Sequence, residues 1–271
     1  MTLLPRGTSG RDALEVALEV ARMAGTIQAR HFYGEKGVRW KGWGNVVTQV
    51  DLEVEQTVFS ALREEFPDFG LMGEETAQGL PDAPYTWVVD PLDGTRNYAA
   101  GIPLFAFNLA LLHGGEPVLG VTYDPMRDEM FTAVRGQGAH LNGRPIRVSG
   151  RTDLETCILA LDLGYSDERA LLALALAMDL WPGVQALRVI SSSALGLAYI
   201  ASGRWDLYLH QTLSPWDLAP GLLLVAEAGG VVVDPQGRPA GLFQRQVLAT
   251  TPTLLPRFLS ATEGAPWRQV S

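Results

Sequence analysis

Cysteine is nearly missing from this chain: Cys157 is the only one in 271 residues, which excludes an intrachain disulfide and any thiolate-rich metal site. The reducing cytoplasm is the expected compartment. Histidine is scarce as well, and His31, His113 and His140 show no metal-ligand spacing. Long apolar runs are absent. The longest, Ala170 to Met178, has nine residues and stops at Asp179, whereas a membrane helix needs roughly 20. The stretch Met1 to Arg11 is interrupted by Pro5, Gly7 and Gly10 and lacks the apolar centre of a signal peptide. Positive charge is in deficit, 21 Lys+Arg against 30 Asp+Glu for a net −9. Such a chain repels phosphate backbones, so no nucleic-acid and no membrane partner is expected. Trp40 and Trp43 beside Lys41 suggest a base-stacking platform, and the net charge argues against it.

What is present is a globular composition. Hydrophobic residues make up 47%, and 29 Gly and 17 Pro are too few for a collagen-like or low-complexity chain. Val16, Val20, Met23 and Ile27 recur at helical spacing, and a second helix runs from Asp51 through Val54, Val58 and Leu62 to the stop at Phe66-Pro67. Between them, Val38 to Thr48 reads as a hairpin. A short buried strand, Tyr85 to Val89, runs into Asp90. Strands at 106–112, 117–123, 129–134 and 139–141, separated by turn signals, form an antiparallel meander. Beyond Gly150 strands and helices alternate: strand 157–161, helix 168–180, strand 186–190, helix 194–201, strand 207–210, helix 216–228, strands 231–234 and 247–250, and a terminal helix. The expected fold is layered α/β, with an N-terminal half at 1–150 and a C-terminal half at 151–271.

The densest chemical signal is Asp90-Pro91-Leu92-Asp93-Gly94-Thr95, where two carboxylates leave an apolar strand together. Glu74-Glu75 ends an earlier segment, and Asp217 opens a late helix after Ser214-Pro215-Trp216. Taken singly each has an ordinary reading: Asp93-Gly94 as a turn, Asp51 and Asp217 as helix N-caps, Glu74-Glu75 as a solvated loop. Brought together, each close pair would repel by roughly 3–4 kcal/mol at an effective dielectric near 20. Folding gathers such groups only around cations. Oxygen ligands without His or Cys select hard ions, Mg²⁺ ahead of Ca²⁺ in an open site.

In this order the motifs resemble the inositol monophosphatase family of metal-dependent, lithium-sensitive phosphatases. The matching segments are Gly73-Glu74-Glu75, Trp87 to Tyr98, and Pro215-Trp216-Asp217-Leu218-Ala219-Pro220-Gly221, extended by Val47 to Asp51 and Glu227 to Gly230. The resemblance spans about Asp12 to Leu259. It implies a layered α/β fold and a phosphomonoesterase that cleaves with metal-activated water. It implies two Mg²⁺ ions, one held by Glu74, Asp90 and the Leu92 carbonyl and one by Asp90, Asp93 and Asp217, with a third, weaker ion near Glu74. Thr95, oriented by Asp51, would position the attacking water beside Glu74. The N–H groups of Gly94 and Thr95 would receive phosphate at a helix start. Lys41 matches a basic residue on a flap, and Glu75 neighbours the ligands. The family's homodimers lead us to expect a second copy against the apolar strands between Leu104 and Tyr123.

Two positions depart from the animal enzymes of the family. His210 stands where they carry a glutamate, and Ser191-Ser192-Ser193 where they carry a glycine-rich contact to sugar hydroxyls. Ser191, Ser193 and His210 are therefore candidate contacts to the leaving alcohol, beside Asp93 and Asp217. An unperturbed His210 would titrate near pH 6.5 and let alcohol recognition change between about pH 6 and 8. The expected substrate is a small polyol or sugar phosphate, myo-inositol 1-phosphate first. Histidinol phosphate, fructose 1,6-bisphosphate and adenosine 3′,5′-bisphosphate are the rivals. A non-catalytic regulator that keeps the fold is the rival of another class; it would be free to lose Asp51, Thr95 or Glu74, and all three are present.

Overall fold

Apolar periodicity turns directly into layers. The computed structural model describes residues 3–42, 45–76 and 79–268, with the backbone alone for 40–42 and 45. Helix α1 (Ala13–Phe32) buries Val16, Val20 and Ala24, and α2 (Gln49–Glu65) buries Val54, Val58 and Leu62. Both lie on one face of a seven-stranded sheet. The sheet runs β3 (Gly70–Gly73), β4 (Tyr85–Asp93), β5 (Ala106–His113), β6 (Glu116–Asp124), β7 (Glu129–Val134), β8 (Ala139–Leu141) and β9 (Arg144–Ile146), neighbours in that order. From β4 onward it is the antiparallel meander expected from the turn signals, and β3 pairs parallel to β4 at the edge. A two-stranded ribbon, β1 (Arg39–Gly42) and β2 (Asn45–Val47), joins α1 to α2. The short helix α3 (Thr95–Ala100) follows β4.

The second sheet has the order β11-β10-β12-β14-β13, from β10 (Ile158–Asp162), β11 (Ala186–Arg188), β12 (Leu207–His210), β13 (Val231–Val233) and β14 (Val247–Thr250). Its helices are α4 (Asp167–Leu180), α5 (Ser193–Ala201), α6 (Pro215–Glu227) and α7 (Leu254–Ala261). α5 and α6 fill the space between the two sheets, and α4 and α7 cover the outer face of the second. The result is five layers, α-β-α-β-α, with the core continuous across the change of pattern between β9 and β10. Among the described residues no helix is long and apolar enough to cross a membrane.

Two expectations need correction here. The strands between Leu104 and Tyr123 leave no apolar face for a second subunit. Phe105 to Leu112 and Val118 to Val121 are buried, because β5 and β6 lie in the middle of the sheet with helices on both faces. Exposed apolar side chains sit instead on α4, at Leu171, Leu174 and Met178. Nor are Asp51 and Asp217 helix N-caps. Thr48 and Ser214 occupy those positions, and the two aspartates stand three residues on, where their carboxylates accept the N–H of Thr48 and Ser214.

Candidate active site

Residues three apart in a regular strand face opposite sides. Asp90 pairs with Asn108 and Asp93 with Ala106, so β4 carries one residue more than β5 between them. This bulge returns both carboxylates to one side, and Pro91, which has no N–H to give a ladder, sits inside it. The bulge is pinned from behind by Gln28 of α1, whose Nε2 donates to the Pro91 carbonyl at 2.7 Å. Tyr98 donates to the Gln28 carbonyl at 2.7 Å. The Leu92 N–H donates to Asp90 Oδ1 at 3.0 Å. Gly94 then needs φ +86°, and a Cβ there would lie 2.8 Å from the Leu104 carbonyl oxygen.

Asp217 arrives from the other half of the chain. Pro220, inside α6, has no N–H for the Trp216 carbonyl four residues earlier. Asn108 of β5 supplies the missing donor, its Nδ2 lying 3.0 Å from Trp216 O and 3.3 Å from Asp217 O. Thr122 holds that amide in place by donating to its oxygen at 2.6 Å. A proline unusual in a helix and an asparagine unusual in an apolar strand thus form one device. It sets the first turn of α6 beside the bulge.

Asp90, Asp93 and Asp217 each offer a carboxylate oxygen within 4.8 Å of the other two. At that separation an ionised pair repels by about 3.5 kcal/mol at a dielectric near 20. Glu74 joins them through register: Gly73, the last residue of β3, pairs with Val89, so Glu74 follows it beside Asp90 of β4. Burial, with the charges of Glu74, Asp93 and Asp217 adding to it, pushes the Asp90 carboxyl well above the usual carboxylate range. Burial also raises Asp93, against the hydrogen bonds it receives, and takes Asp217 up to about 7 with help from Asp93. The donor set is all oxygen, close and short of compensating charge. That fits hard divalent cations, which would replace protons as the counter-charge.

This competition sets a pH dependence. The folded carboxyls bind protons more tightly than the unfolded ones, so their contribution to stability falls as pH rises from about 4 through 7. A divalent cation should therefore raise Tm strongly at pH 7.5 and progressively less toward pH 5. Differential scanning fluorimetry of chelator-treated protein with and without Mg²⁺ tests this, and an equal increment at both pH values would contradict it.

Asp51 stands 1% exposed behind Thr95. The Thr48 N–H and hydroxyl donate to its Oδ2 at 2.7 and 2.5 Å, and the Thr95 hydroxyl lies 3.3 Å from its Oδ1. Burial raises its pKa to about 6, against the pull of the Thr48 hydrogen bonds. Thr95 has one proton and two acceptors in reach, since the Leu92 carbonyl lies at 2.8 Å. Glu75 N–H donates to the buried Glu55 of α2 at 2.9 Å, fixing the strand end that carries Glu74.

A cavity of about 130 Å³ opens in front of these groups, lined by Asp93, Gly94, Thr95, Arg96, Asp162, Tyr165, Ser191, Ser193, His210, Thr212 and Asp217. A larger cavity of about 400 Å³ along α6 and β13 shares no lining residue with it and is mostly apolar. At the mouth, Arg96 lies over the Tyr165 ring, 4.4 Å from its centroid. His210 is buried, which pushes its pKa down to about 4. The expected titration between pH 6 and 8 is thereby corrected: the ring is neutral throughout. Its Nδ1 accepts the Thr212 N–H at 3.1 Å, so the proton resides on Nε2. The serines divide. Ser191 is exposed on the cavity, whereas the Ser192 and Ser193 hydroxyls donate to Asp93. Lys41 lies on β1, its side chain outside the described residues, as is Trp43.

Sequence reasoning had no place for Asp162 or Asn108, and it named Ser192 only within the serine run at the alcohol contact. Asp162 is 2% exposed and gathers the N–H groups of Ile190, Ser191 and Ser192 with the Tyr208 hydroxyl. The available signal was its position, a carboxylate directly after an apolar run, as Asp90 is after Trp87-Val88-Val89.

The comparisons agree with this geometry. The model of the inositol monophosphatase family matches residues 11–266. Inositol monophosphatase 1 of Solanum lycopersicum is 37% identical over 268 residues, covering 96% of this chain and 98% of its own. Nus factor SuhB of Pseudomonas aeruginosa is 41% identical over 229 residues, covering 82% and 84%. Among solved structures, the extragenic suppressor protein suhB from Bartonella henselae superposes with a TM-score of 0.88 at 35% identity, over 93% of this chain and 98% of that one. The Thermotoga maritima IMPase gives 0.86 at 30% identity, over 93% and 97%. From carboxylate cluster to layer order, this chain belongs to the inositol monophosphatase family.

Proposed function

We propose that the protein is a Mg²⁺-dependent phosphomonoesterase acting on a small polyol or sugar phosphate, myo-inositol 1-phosphate foremost. The observation that carries this reading is the convergence of Asp90, Asp93 and Asp217 beside Glu74, with Thr95 and Asp51 behind them. Glu74, Asp90, the Leu92 carbonyl, Asp93 and Asp217 would hold Mg²⁺. The bound cation supplies a water acidified toward neutral pH and a Lewis acid for the phosphoryl oxygens. Asp51, ionised above about pH 6, accepts the Thr95 proton and turns the lone pairs of that hydroxyl toward the attacking water. Glu74 takes the proton of that water. The Gly94 and Thr95 N–H groups orient the phosphate, and His210 and Ser191 face the leaving alcohol.

The test is phosphate release from inositol 1-phosphate, glycerol 2-phosphate, histidinol phosphate, fructose 1,6-bisphosphate and adenosine 3′,5′-bisphosphate, with Mg²⁺ and with added lithium. A family glutamate would accept from two sugar hydroxyls, whereas the neutral His210 ring offers one Nε2 donor. We expect kcat/KM for inositol 1-phosphate and glycerol 2-phosphate to agree within about tenfold, under ~1.4 kcal/mol. The ratio should stay constant from pH 6 to 8. His210→Glu should widen it in favour of inositol 1-phosphate. A thousandfold preference in the parent, or an unchanged ratio in the variant, would remove His210 from the alcohol site.

The name Nus factor, carried by the SuhB relatives, supports a second reading as a regulator. No phosphate release from any member of the panel, by protein shown to bind Mg²⁺, would favour it. We further propose a homodimer, on family resemblance. A sedimentation mass near 29.4 kDa at micromolar concentration would overturn that.

A further inference from the structure

We infer that Asp162 is a positioning residue: through the turn at Ser191–Ser193 it fixes where the Asp93 carboxylate stands, and so sets the cation affinity of the site. The inference rests on the reading above that Asp93 faces a cation.

The path is short and made of named bonds. Asp162 closes β10, and its Oδ1 accepts the N–H groups of Ile190 at 3.0 Å and Ser191 at 2.5 Å. Its Oδ2 accepts the Ser192 N–H at 3.3 Å and the Tyr208 hydroxyl at 2.9 Å. Three successive N–H groups pointing into one concavity form a nest, an arrangement that calls for an anion. Here the anion is internal. On the opposite side of the turn, Asn97 Nδ2 reaches the carbonyls of Ile190 at 2.7 Å and Ser191 at 3.3 Å. The turn is thus gripped by its donors and by its acceptors.

It needs that grip, because Ser191 is held at φ +54°, a left-handed conformation that a residue with a Cβ adopts at a cost. The product of the turn is the start of α5. There the Ser192 hydroxyl, the Ser193 N–H and hydroxyl, at 3.1 and 2.8 Å, and the Ala194 N–H, at 3.2 Å, all donate to Asp93. Four donors fix the orientation of Asp93, and Asp162 holds Ser192, which bears one of them, together with the two residues that lead into it, Ile190 and Ser191. Without Asp162 the buried N–H groups lose their acceptor, and the strained Ser191 has reason to relax.

The experiment measures Mn²⁺ binding to the full chain after chelation, by electron paramagnetic resonance, together with Tm. Asp162→Asn puts an amide where donors converge, and it should weaken Mn²⁺ binding by about tenfold or more, the range for residues that orient metal ligands. Tyr208→Phe removes one donor to the same carboxylate but leaves the nest filled; Tm should fall while affinity stays near the parent value. Ser191→Gly frees the left-handed position from its Cβ cost, so adding it to Asp162→Asn should recover affinity without touching Asp93. Should Asp162→Asn fail to fold, Ser192→Ala takes its place, cutting the link between turn and Asp93, with the same weakening expected. Parent-like affinity in a folded Asp162→Asn or in Ser192→Ala, or equal weakening by Tyr208→Phe, overturns the inference. A parent protein that binds no Mn²⁺ would instead bring down the cation reading itself.

Discussion

Asp90→Asn is expected to abolish turnover and to stabilise the metal-free protein. Asp90 lies at the centre of the carboxylates, and both its burial and three neighbouring charges oppose its ionisation. Its backbone partner, the Leu92 N–H, can donate equally to an amide oxygen. The new amide N–H₂ can donate to Asp217 or Asp93. With cation, the lost ligand charge should lower kcat by at least a thousandfold, about 4 kcal/mol. Without cation, the variant should melt a few degrees higher, roughly 2–4 °C for each kcal/mol gained in a chain of this size. The gain should also grow with pH. At low pH the parent relieves the repulsion by protonating and does so less as pH rises, whereas asparagine does not titrate. Near-normal kcat, or a gain in Tm that shrinks from pH 6 to 8.5, would contradict the assignment.

Asp93→Asn is a different experiment, although the two residues look equivalent in the motif. Asp93 receives four donors from the start of α5. An amide there sets N–H₂ against N–H and O–H, so repulsion relieved is offset by hydrogen bonds lost. Activity should vanish with no increase in Tm. The sequence alone suggests that neutralising Asp93 spares the fold, because only its acidic neighbours are visible there.

That contrast marks what is legible in one dimension. Asp90, Asp93, Asp217, Asp51 and Thr95 stand in short motifs where charge is denser than a solvated loop requires. The meander shows through its glycine and asparagine turns. Asp162 stayed hidden because its partners are backbone N–H groups of Ile190 to Ser192, distant along the chain and of no particular residue type. β3, only Gly70–Gly73, has too few side chains to display a period. The acidity of His210 departs from that of a free imidazole because strand 207–210 ends inside the molecule rather than in water, which the sequence of the strand does not reveal. Asn108 and Pro220 lie far apart in the sequence, and only the hydrogen bond from Asn108 to the Trp216 carbonyl, which Pro220 cannot serve, shows that one answers the other.

Thr95 and Asp51 should act on kcat as one unit. Thr95→Ala keeps the backbone at the start of α3 and removes only the hydroxyl, so KM should change little and kcat should fall about a hundredfold, ~2.7 kcal/mol. Asp51→Asn should lose a similar factor, since an amide facing Thr95 no longer draws its proton. Asp51 has a second task, however, as acceptor for the first turn of α2. Loss of that cap costs about 1 kcal/mol of stability, which would appear in Tm rather than in kcat. Thr48→Ala separates the two tasks: it weakens the same cap while leaving the Thr95–Asp51 contact, so Tm should fall with kcat nearly intact. Because Thr48 helps keep Asp51 ionised, the assays belong at pH 8, above the Asp51 pKa of about 6. If the hydroxyl and carboxylate cooperate, the double variant Asp51→Asn, Thr95→Ala should be no slower than the slower single, a coupling of about 2–3 kcal/mol and within the range for groups in direct contact. Multiplicative losses near ten-thousandfold, with Thr48→Ala as slow as Asp51→Asn, would reduce Asp51 to a residue that holds the end of a helix.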